Sequence, residues 1–137
     1  MTLREEDRNA LVKHRLERAI ETMNEVNATM QLQFWRIAAN RLYYACYYAA
    51  SAPLIKHGIS TNSHRGVSNQ LGLYFISKGL VSSEHGKLLK HLFELRQTGD
   101  YDDWIDIEEE NIIHLVEPAQ KFIQEMERLI NLNRYTQ

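Results

Sequence analysis

The chain has 137 residues, a length that fits one domain and leaves no room for two of ordinary size. Hydrophobic residues make up 44% and charged residues 25%, so the composition is globular and excludes a disordered or fibrous chain. The formal net charge of −2 argues against a strongly basic nucleic-acid binder, and 6 Gly and 2 Pro are too few turn formers for an all-β fold. We therefore expect residues 1–137 to form a single domain.

The sequence shows no membrane or export signal. Its apolar runs are only a few residues long, too short for a transmembrane helix, and its first residues are too polar and acidic for a signal peptide. Cys46, the single cysteine, excludes an intrachain disulfide and a cysteine-based zinc site. We expect a cytoplasmic protein without a membrane partner, in which Cys46 is a buried, inert thiol.

The first predicted helix is long and amphipathic. Apolar residues recur at intervals of three and four from Val12 to Met30, which predicts a helix over roughly residues 3–29. Thr2 and Glu5 have the spacing of a capping box, in which each side chain satisfies a free backbone N–H of the first turn.

The second predicted helix covers roughly residues 32–57 and is apolar or aromatic nearly all round. Pro53 removes one backbone donor within it and predicts a kink, and Gly58 predicts its end. A helix of this composition is buried on more than one side. Because a small bundle covers only part of it, the sequence predicts a homodimer.

Two shorter helices follow. The pattern predicts a third helix over roughly residues 63–78, ended by Gly79, and a fourth over roughly 83–96, capped by Ser82 or Ser83.

The last part of the chain is predicted as a loop and a fifth helix. Residues from Gln97 to Ile105 are predicted to form a loop broken by Gly99. Asp106 and Glu109 then predict the cap of the last helix, with a kink at Pro118. The fold class is therefore all-α, a four- to five-helix antiparallel up-and-down bundle.

Charge is unevenly distributed along the chain. No acidic residue occurs between Glu25 and Glu84, whereas residues 100–110 carry seven acids and no base. The acid-free stretch holds these basic and histidine residues: Arg36, Arg41, Lys56, His57, His64, Arg65 and Lys78. Clustered in space, they would attract phosphate, carboxylate or an acidic partner. The alternative is that they are scattered over the surface or pair with the acids of residues 100–110.

The first candidate site lies on the second helix. Arg41, Tyr44 and Tyr48 are three and four residues apart and share one face. An arginine beside phenols can bind phosphate or carboxylate through two parallel hydrogen bonds. The alternative is that the tyrosines pack in the core or a dimer interface, with Arg41 in a structural ion pair.

Two more candidate sites lie at the start of the predicted third helix and at the end of the predicted fourth. His64 and Arg65 stand at the predicted start of the third helix, where free N–H groups favour anions, or where a serine cap simply leaves the histidine exposed. Arg96 precedes Asp100 at the end of the fourth helix, a spacing that also fits an ion pair folding the loop back.

These three motifs, in this order, resemble the HEPN domain (higher eukaryotes and prokaryotes nucleotide-binding). Small stand-alone members show Arg-x-x-Tyr-Tyr-Ala-like, Ser/Thr-His-x-Gly-Val and Arg-x-x-x-Asp-Tyr stretches. Residues 41–45 here read Arg-Leu-Tyr-Tyr-Ala, residues 63–67 read Ser-His-Arg-Gly-Val, and residues 96–101 read Arg-Gln-Thr-Gly-Asp-Tyr. The resemblance covers roughly residues 5–130.

The resemblance implies a dimeric helical bundle that is often encoded beside a minimal nucleotidyltransferase, in toxin–antitoxin or defence modules. Catalytic members are ribonucleases that need no metal or other cofactor. They use an arginine followed, after four to six residues, by a histidine, with the histidine as acid or base and the arginine on the phosphate.

This chain departs from the ribonuclease motif, because Tyr101 stands where a histidine would follow Arg96. Arg96 and Tyr101 therefore match the catalytic arginine and histidine of the motif in sequence position only. In related modules the transferase modifies a tyrosine near this motif, which makes Tyr101 a candidate acceptor. The predicted ligand-binding residues are Arg41, Tyr44, His64, Arg65 and Asp100.

Three hypotheses follow from the sequence, and they leave open whether the protein is an enzyme. The first is a HEPN dimer that binds a nucleotide, RNA or a nucleotidyltransferase without strong catalysis. The second is a metal-independent ribonuclease toxin that uses Arg96 and Tyr101, with His64 brought in from elsewhere in the fold. The third is a purely structural dimerisation module.

Overall fold

A computed structural model describes residues 4–132 of the chain. Within that range the regular structure is entirely helical: α1 (Glu5–Gln31), α2 (Trp35–Lys56), α3 (His64–Leu71), α4 (Ser83–Tyr101), α5 (Glu109–Ile112) and α6 (Val116–Asn131). A π-turn follows α3 at Gly72–Ile76, and a 3-10 turn joins α5 to α6 at Ile113–Leu115. The predicted all-α class is confirmed. Each helix in this range is too short or too polar to cross a bilayer.

The first two helices pack antiparallel along most of their length. For every residue that a contact moves forward along the first helix, its partner lies one residue further back along the second. Four contacts show this register: Arg8 over Gly58, Arg15 to Ser51, Arg18 to Tyr48, and Glu25 to Arg41. The arginines therefore form a row along the seam between α1 and α2.

The remaining long helices complete an up-and-down bundle around α2. Near the start of α6 the Cys46 Sγ lies 4.0 Å from the Ala119 carbonyl oxygen, and near its end Lys56 donates to the Ile130 carbonyl. Residue numbers in α2 and α6 rise together along these contacts, so the two helices run parallel. The α4 helix runs antiparallel to α2, since Arg36 contacts Gly99 and the later Tyr43 contacts the earlier Phe93. The predicted bundle topology is confirmed.

The core is centred on α2, as its all-round apolar pattern predicts. The small side chains of α2 allow close helix packing. Larger side chains of α2 and of the helices around it are fully buried and fill the space between them: Leu42, Tyr43, Leu54, Leu71, Phe75, Leu92, Phe122 and Met126. Cys46 is completely buried among them, and burial raises the pKa of its thiol. The predicted buried position of Cys46 is confirmed, and its inertness stays a prediction.

The fourth helix is longer than predicted. It runs to Tyr101, so the predicted loop from Gln97 is wrong over its first five residues. Gly99 is buried within the helix, and a Cβ built there would lie 3.3 Å from the Ile107 Cγ1 atom. Gly99 therefore serves close packing against the following loop and does not break the helix.

Arg36 closes the carboxyl end of α4. Its guanidinium donates to the Gly99 carbonyl and to the Ile105 carbonyl at 2.9 Å, and it pairs with Asp106 at 3.3 Å. A cation at this end of a helix satisfies free carbonyl groups and opposes the negative end of the helix dipole. One base of the acid-free stretch thus pairs with the acids of residues 100–110.

The caps of the shorter helices are partly as predicted. Ser63 caps α3 by accepting from the Gly66 N–H at 2.9 Å, and Ser82 caps α4. The predicted cap by Asp106 and Glu109 is wrong. Glu108 and Asn111 form the capping box of α5, since Asp106 is taken up by Arg36.

Pro118 does not kink a single long helix as predicted. The chain forms α5 and a 3-10 turn first, and Pro118 then lies in the first turn of α6. Backbone N–H groups of a first turn have no acceptor within the helix, so proline costs no helical hydrogen bond there.

The remaining helix boundaries differ by a few residues. α2 begins at Trp35 because Gln33 adopts a φ of 61°. Gly58 and Gly79 have positive φ angles and end their segments as predicted. Of the predicted capping box of α1, Thr2 lies outside the described residues.

Replacement of Arg36 by alanine is expected to lower the free energy of unfolding by about 1–3 kcal/mol, because it leaves carbonyl groups at the end of α4 without a donor. Urea denaturation would measure this. Arg4→Ala, which removes an exposed ion pair with Asp7, is the control and is expected to change stability by less than about 0.5 kcal/mol. Equal stability of the two variants would contradict the role of Arg36.

Candidate functional site

The three predicted motifs meet around the rings of Tyr43 and Tyr44. The Arg96 guanidinium carbon lies 5.5 Å from the centre of each ring, and that of Arg41 lies 5.3 Å from the Tyr44 ring. The His64 ring centre is 5.5 Å from that of Tyr43 and 5.7 Å from that of Tyr44. Side chains from α2, α3 and α4 therefore share one aromatic cluster.

Arg96 is buried within this cluster, with only 8% of its surface exposed. Its guanidinium also faces the ring of Phe93 at 5.6 Å and pairs with Asp100 at 3.4 Å. Its Nε–H finds no acceptor among residues 4–132. The predicted Arg96–Asp100 ion pair is present, but it joins consecutive turns of α4 and does not fold a loop back, because the helix continues.

A polar chain links Arg96 to Arg41. Asn40 donates to the Asp100 carboxylate at 3.1 Å, and its carbonyl oxygen accepts two bonds from Arg41 at 2.8 and 3.1 Å. Arg41 also pairs with Glu25 at 3.2 Å. Each guanidinium thus has a carboxylate of its own, so this network is charge-balanced.

His64 is held in place by the hydroxyl of Tyr43, 2.8 Å from its Nδ1 atom. Burial lowers the pKa of His64, and the positive charge of Arg96 lowers it further. Burial raises the pKa of Tyr43, so the phenol keeps its proton. When this hydroxyl donates the bond, the neutral imidazole carries its own proton on Nε2.

A cleft of about 390 Å³ opens between α3 and α4 beside this pair. We call it the α3–α4 cleft. Its lining residues are Tyr43, His64, Arg65, Ser68, Asn69, Leu89, Lys90, Phe93 and Glu94. Aromatic and aliphatic side chains meet the cations Arg65 and Lys90 and the carboxylate of Glu94 there, and none of these three charges forms an ion pair within residues 4–132. The cleft can hold a flat apolar group beside an anionic one.

Sequence reasoning predicted His64 and Arg65 in this cleft but missed its α4 side. Phe93 lies three residues before Arg96, and Lys90 lies three residues before Phe93, so each of these two pairs is adjacent on the surface of α4. That spacing was the available signal.

Tyr101 lies apart from the aromatic cluster. It is 74% exposed at the end of α4, in a shallow surface depression shared with Trp104, and within residues 4–132 it makes no contact with Arg96. Five residues of α-helix turn a side chain by roughly 140° away from its starting direction. The structure therefore brings His64, and not Tyr101, next to Arg96.

Metal coordination has no obvious site in the described part of the chain. No group of three or more histidine, cysteine, aspartate or glutamate side chains there is placed to hold an ion.

Comparison with known proteins gives a family match over most of the chain. A family model described as the HEPN domain matches residues 12–129. A "UPF0332 protein" of Thermotoga maritima is 32% identical over 124 residues, which cover 90% of this chain and 94% of that protein.

Two archaeal relatives carry functional names. "Putative toxin MJ0605" of Methanocaldococcus jannaschii is 27% identical over 117 residues, covering 84% of this chain and 85% of its own. "Putative toxin MJ0142" of the same organism is 27% identical over 115 residues, covering 84% of this chain and 78% of its own.

The pKa of His64 is expected to lie below the ordinary value of about 6.5. Because the unfolded chain takes up the proton first as the pH falls, His64 also makes the folded state less stable below about pH 6.5. His57, whose pKa burial also lowers, contributes in the same sense, so the deciding measurement is an NMR titration of the His64 ring.

Arg96→Met is expected to raise the His64 pKa, since it removes a neighbouring positive charge, whereas Arg4→Gln leaves it unchanged. A His64 pKa at or above about 6.5 in the unmodified protein would contradict the geometry.

Proposed function

The chain belongs to the HEPN domain family, and on that premise we propose that it is a toxin-type HEPN protein that binds a nucleotide or RNA in the α3–α4 cleft. The names of the two archaeal relatives support the toxin assignment. The observation that carries the binding proposal is the pairing of an aromatic floor with unpaired cations in one cleft.

The chemistry of the cleft suits a nucleotide. A base can stack on Phe93, Ser68 and Asn69 can hydrogen-bond its edge, and Arg65 and Lys90 can hold a phosphate. A volume of about 390 Å³ is within the usual range for small-molecule sites.

The predicted ligand-binding residues outside the cleft have a supporting part in this proposal. Arg41, Tyr44 and Asp100 belong to the charge-balanced network behind the cleft. A phosphate could displace Glu25 from Arg41, because a partly exposed ion pair contributes only about 0–1 kcal/mol. Arg41 lies against the Tyr44 ring, and Asp100 pairs with Arg96, which lies against both tyrosine rings that contact His64.

A metal-independent ribonuclease is the second candidate function, and the position of His64 favours it. The imidazole packs on the same rings as Arg96, whose guanidinium is buried and paired with Asp100, so the acid or base and the cation that the motif requires lie together. A lowered pKa keeps the imidazole neutral near pH 7, and in the tautomer whose Nδ1–H donates to the Tyr43 oxygen, Nε2 is free to act as the general base. In this version His64 takes the part that the motif assigns to a histidine after Arg96.

The partners are also proposals. Apolar side chains cluster in sequence near the α1–α2 turn and the end of α4, and they are exposed: Leu32, Phe34, Ile37, Tyr101, Trp104 and Ile105. Such side chains are suited to a second subunit or a minimal nucleotidyltransferase. The exposure of Tyr101 supports its proposed role as acceptor of a nucleotidyl group. A purely structural module would use the same surface without the cleft.

Arg65→Gln and Lys90→Gln are each expected to weaken binding of ATP and of short RNA about fivefold or more, since each loses a charge-assisted hydrogen bond to phosphate. Calorimetry at low salt, where screening is weakest, measures this. Lys87→Gln is the matched control, because it removes the same charge from α4 outside the cleft. Absence of binding to either ligand at low salt would overturn the proposal.

His64→Asn and Arg96→Gln are each expected to reduce RNA cleavage in chelator-treated buffer about 100-fold or more, as loss of an acid–base or charge-stabilising group does. The products should carry cyclic-phosphate ends. Tyr101→Phe is expected to retain cleavage. Cleavage that survives in the Arg96 variant would identify a contaminating nuclease and exclude this second function.

A further inference from the structure

A second groove, of about 360 Å³, lies between α1 and the carboxyl end of α2, outside the α3–α4 cleft. We call it the α1–α2 groove. The side chains that can contact a ligand there are Arg8, Arg15, Tyr47, Ser51, Ser60 and Thr61. They combine two guanidinium groups, three hydroxyls and one phenol, and within residues 4–132 no carboxylate lines the groove.

Within residues 4–132 neither of these two arginines has a carboxylate partner. Within the described chain the Arg8 side chain forms no ion pair or hydrogen bond, and its guanidinium lies over Gly58, which has no side chain to cover it. The Arg15 guanidinium donates to the Ser51 hydroxyl at 3.4 Å and, within the same residues, forms no ion pair. This differs from Arg41 and Arg96, each of which has a carboxylate partner. The α1–α2 groove is therefore a site of uncompensated positive charge.

The positive charge continues along the seam between the two helices. Arg18 donates to the Tyr48 hydroxyl at 3.2 Å, and the guanidinium carbons of Arg15 and Arg18 lie 5.9 and 5.1 Å from the Tyr48 ring. From Arg8 to Arg18 the row spans roughly 15 Å of helix. That length exceeds a single phosphate and suits a ligand that carries several.

Tyr47 connects this row to the α3–α4 cleft. Its side chain lines the α1–α2 groove, and its ring centre lies 4.7 Å from that of His64, which lines the cleft. The groove and the cleft are thus adjacent. A ligand that occupied both would pass over the Tyr47 and His64 rings.

We propose that the row of Arg8, Arg15 and Arg18 binds the phosphates of single-stranded RNA whose end or flanking nucleotide occupies the α3–α4 cleft. The proposal rests on the proposed function and deepens it, because it makes the ligand a strand and not a free nucleotide. Alternating cations and tyrosine rings are the combination by which proteins hold single strands, with charge on the backbone and rings available to bases.

The experiment compares a fluorescently labelled RNA of about twelve nucleotides with ATP, in the full chain, over a range of salt concentrations. The Arg8→Gln/Arg15→Gln double variant is expected to bind the strand about tenfold more weakly at low salt and to bind ATP unchanged. The slope of log affinity against log salt should fall by about 1.4, or about 0.7 for each lost phosphate contact to a single strand.

Two further variants control for charge and folding. Lys13→Gln/Lys121→Gln removes the same charge from outward-facing ion pairs and should leave strand binding within about twofold of the unmodified protein. Arg8→Lys/Arg15→Lys keeps the charge and should restore the salt slope. A duplex of the same length should bind more weakly than the single strand.

The outcomes separate this proposal from the one it rests on. The proposal for the arginine row is overturned if ATP binds and the strand binds no more tightly than ATP. It is also overturned if the arginine double variant has no more effect than the lysine double variant. In both cases the proposal for the cleft is unaffected. Equal loss of ATP and strand binding also overturns the proposal for the arginine row, because the effect then lies in the cleft. If neither ligand binds, both proposals fail.

Discussion

Burial of Tyr43 at the centre of the bundle is the constraint on which the site depends. The ring is 1% exposed, and it contacts the Arg96 guanidinium, the Phe93 ring and the His64 imidazole, while its hydroxyl bonds His64. A buried phenol needs a partner for its O–H, and His64 is that partner. Through this one side chain, α2 sets the positions of groups on α3 and α4.

Charge in this protein falls into paired and unpaired sets. Arg36, Arg41 and Arg96 each have a carboxylate and organise helix ends and the polar chain behind the cleft. Arg8 and Arg65 have none within residues 4–132 and lie at the α1–α2 groove and the cleft. A net charge of −2 hides this division, because the acids that balance it concentrate in residues 100–110. Binding of a polyanion therefore follows from local, not overall, charge.

The separation of Tyr101 from Arg96 changes how the family motif applies to this chain. By sequence position Tyr101 replaces the expected histidine, but α4 continues through it and turns it toward solvent. His64, from a different helix, lies beside Arg96. Acid–base chemistry, if the chain performs it, therefore depends on a residue supplied by tertiary packing.

The sequence by itself determined the helical class, the long first and second helices, the stops at Gly58 and Gly79, and the family. Each depends on local signals: apolar spacing, backbone freedom at glycine, and three ordered motifs. Only the tertiary structure decided the role of Gly99, the partner of Asp106, and the α4 side of the cleft. Gly99 packs against Ile107 beyond the end of its helix, Arg36 binds Asp106, and Lys90 and Arg65 line one cleft from two helices, so each contact joins different segments of the chain. Local patterns cannot specify such contacts, because they arise only when helices are placed against one another.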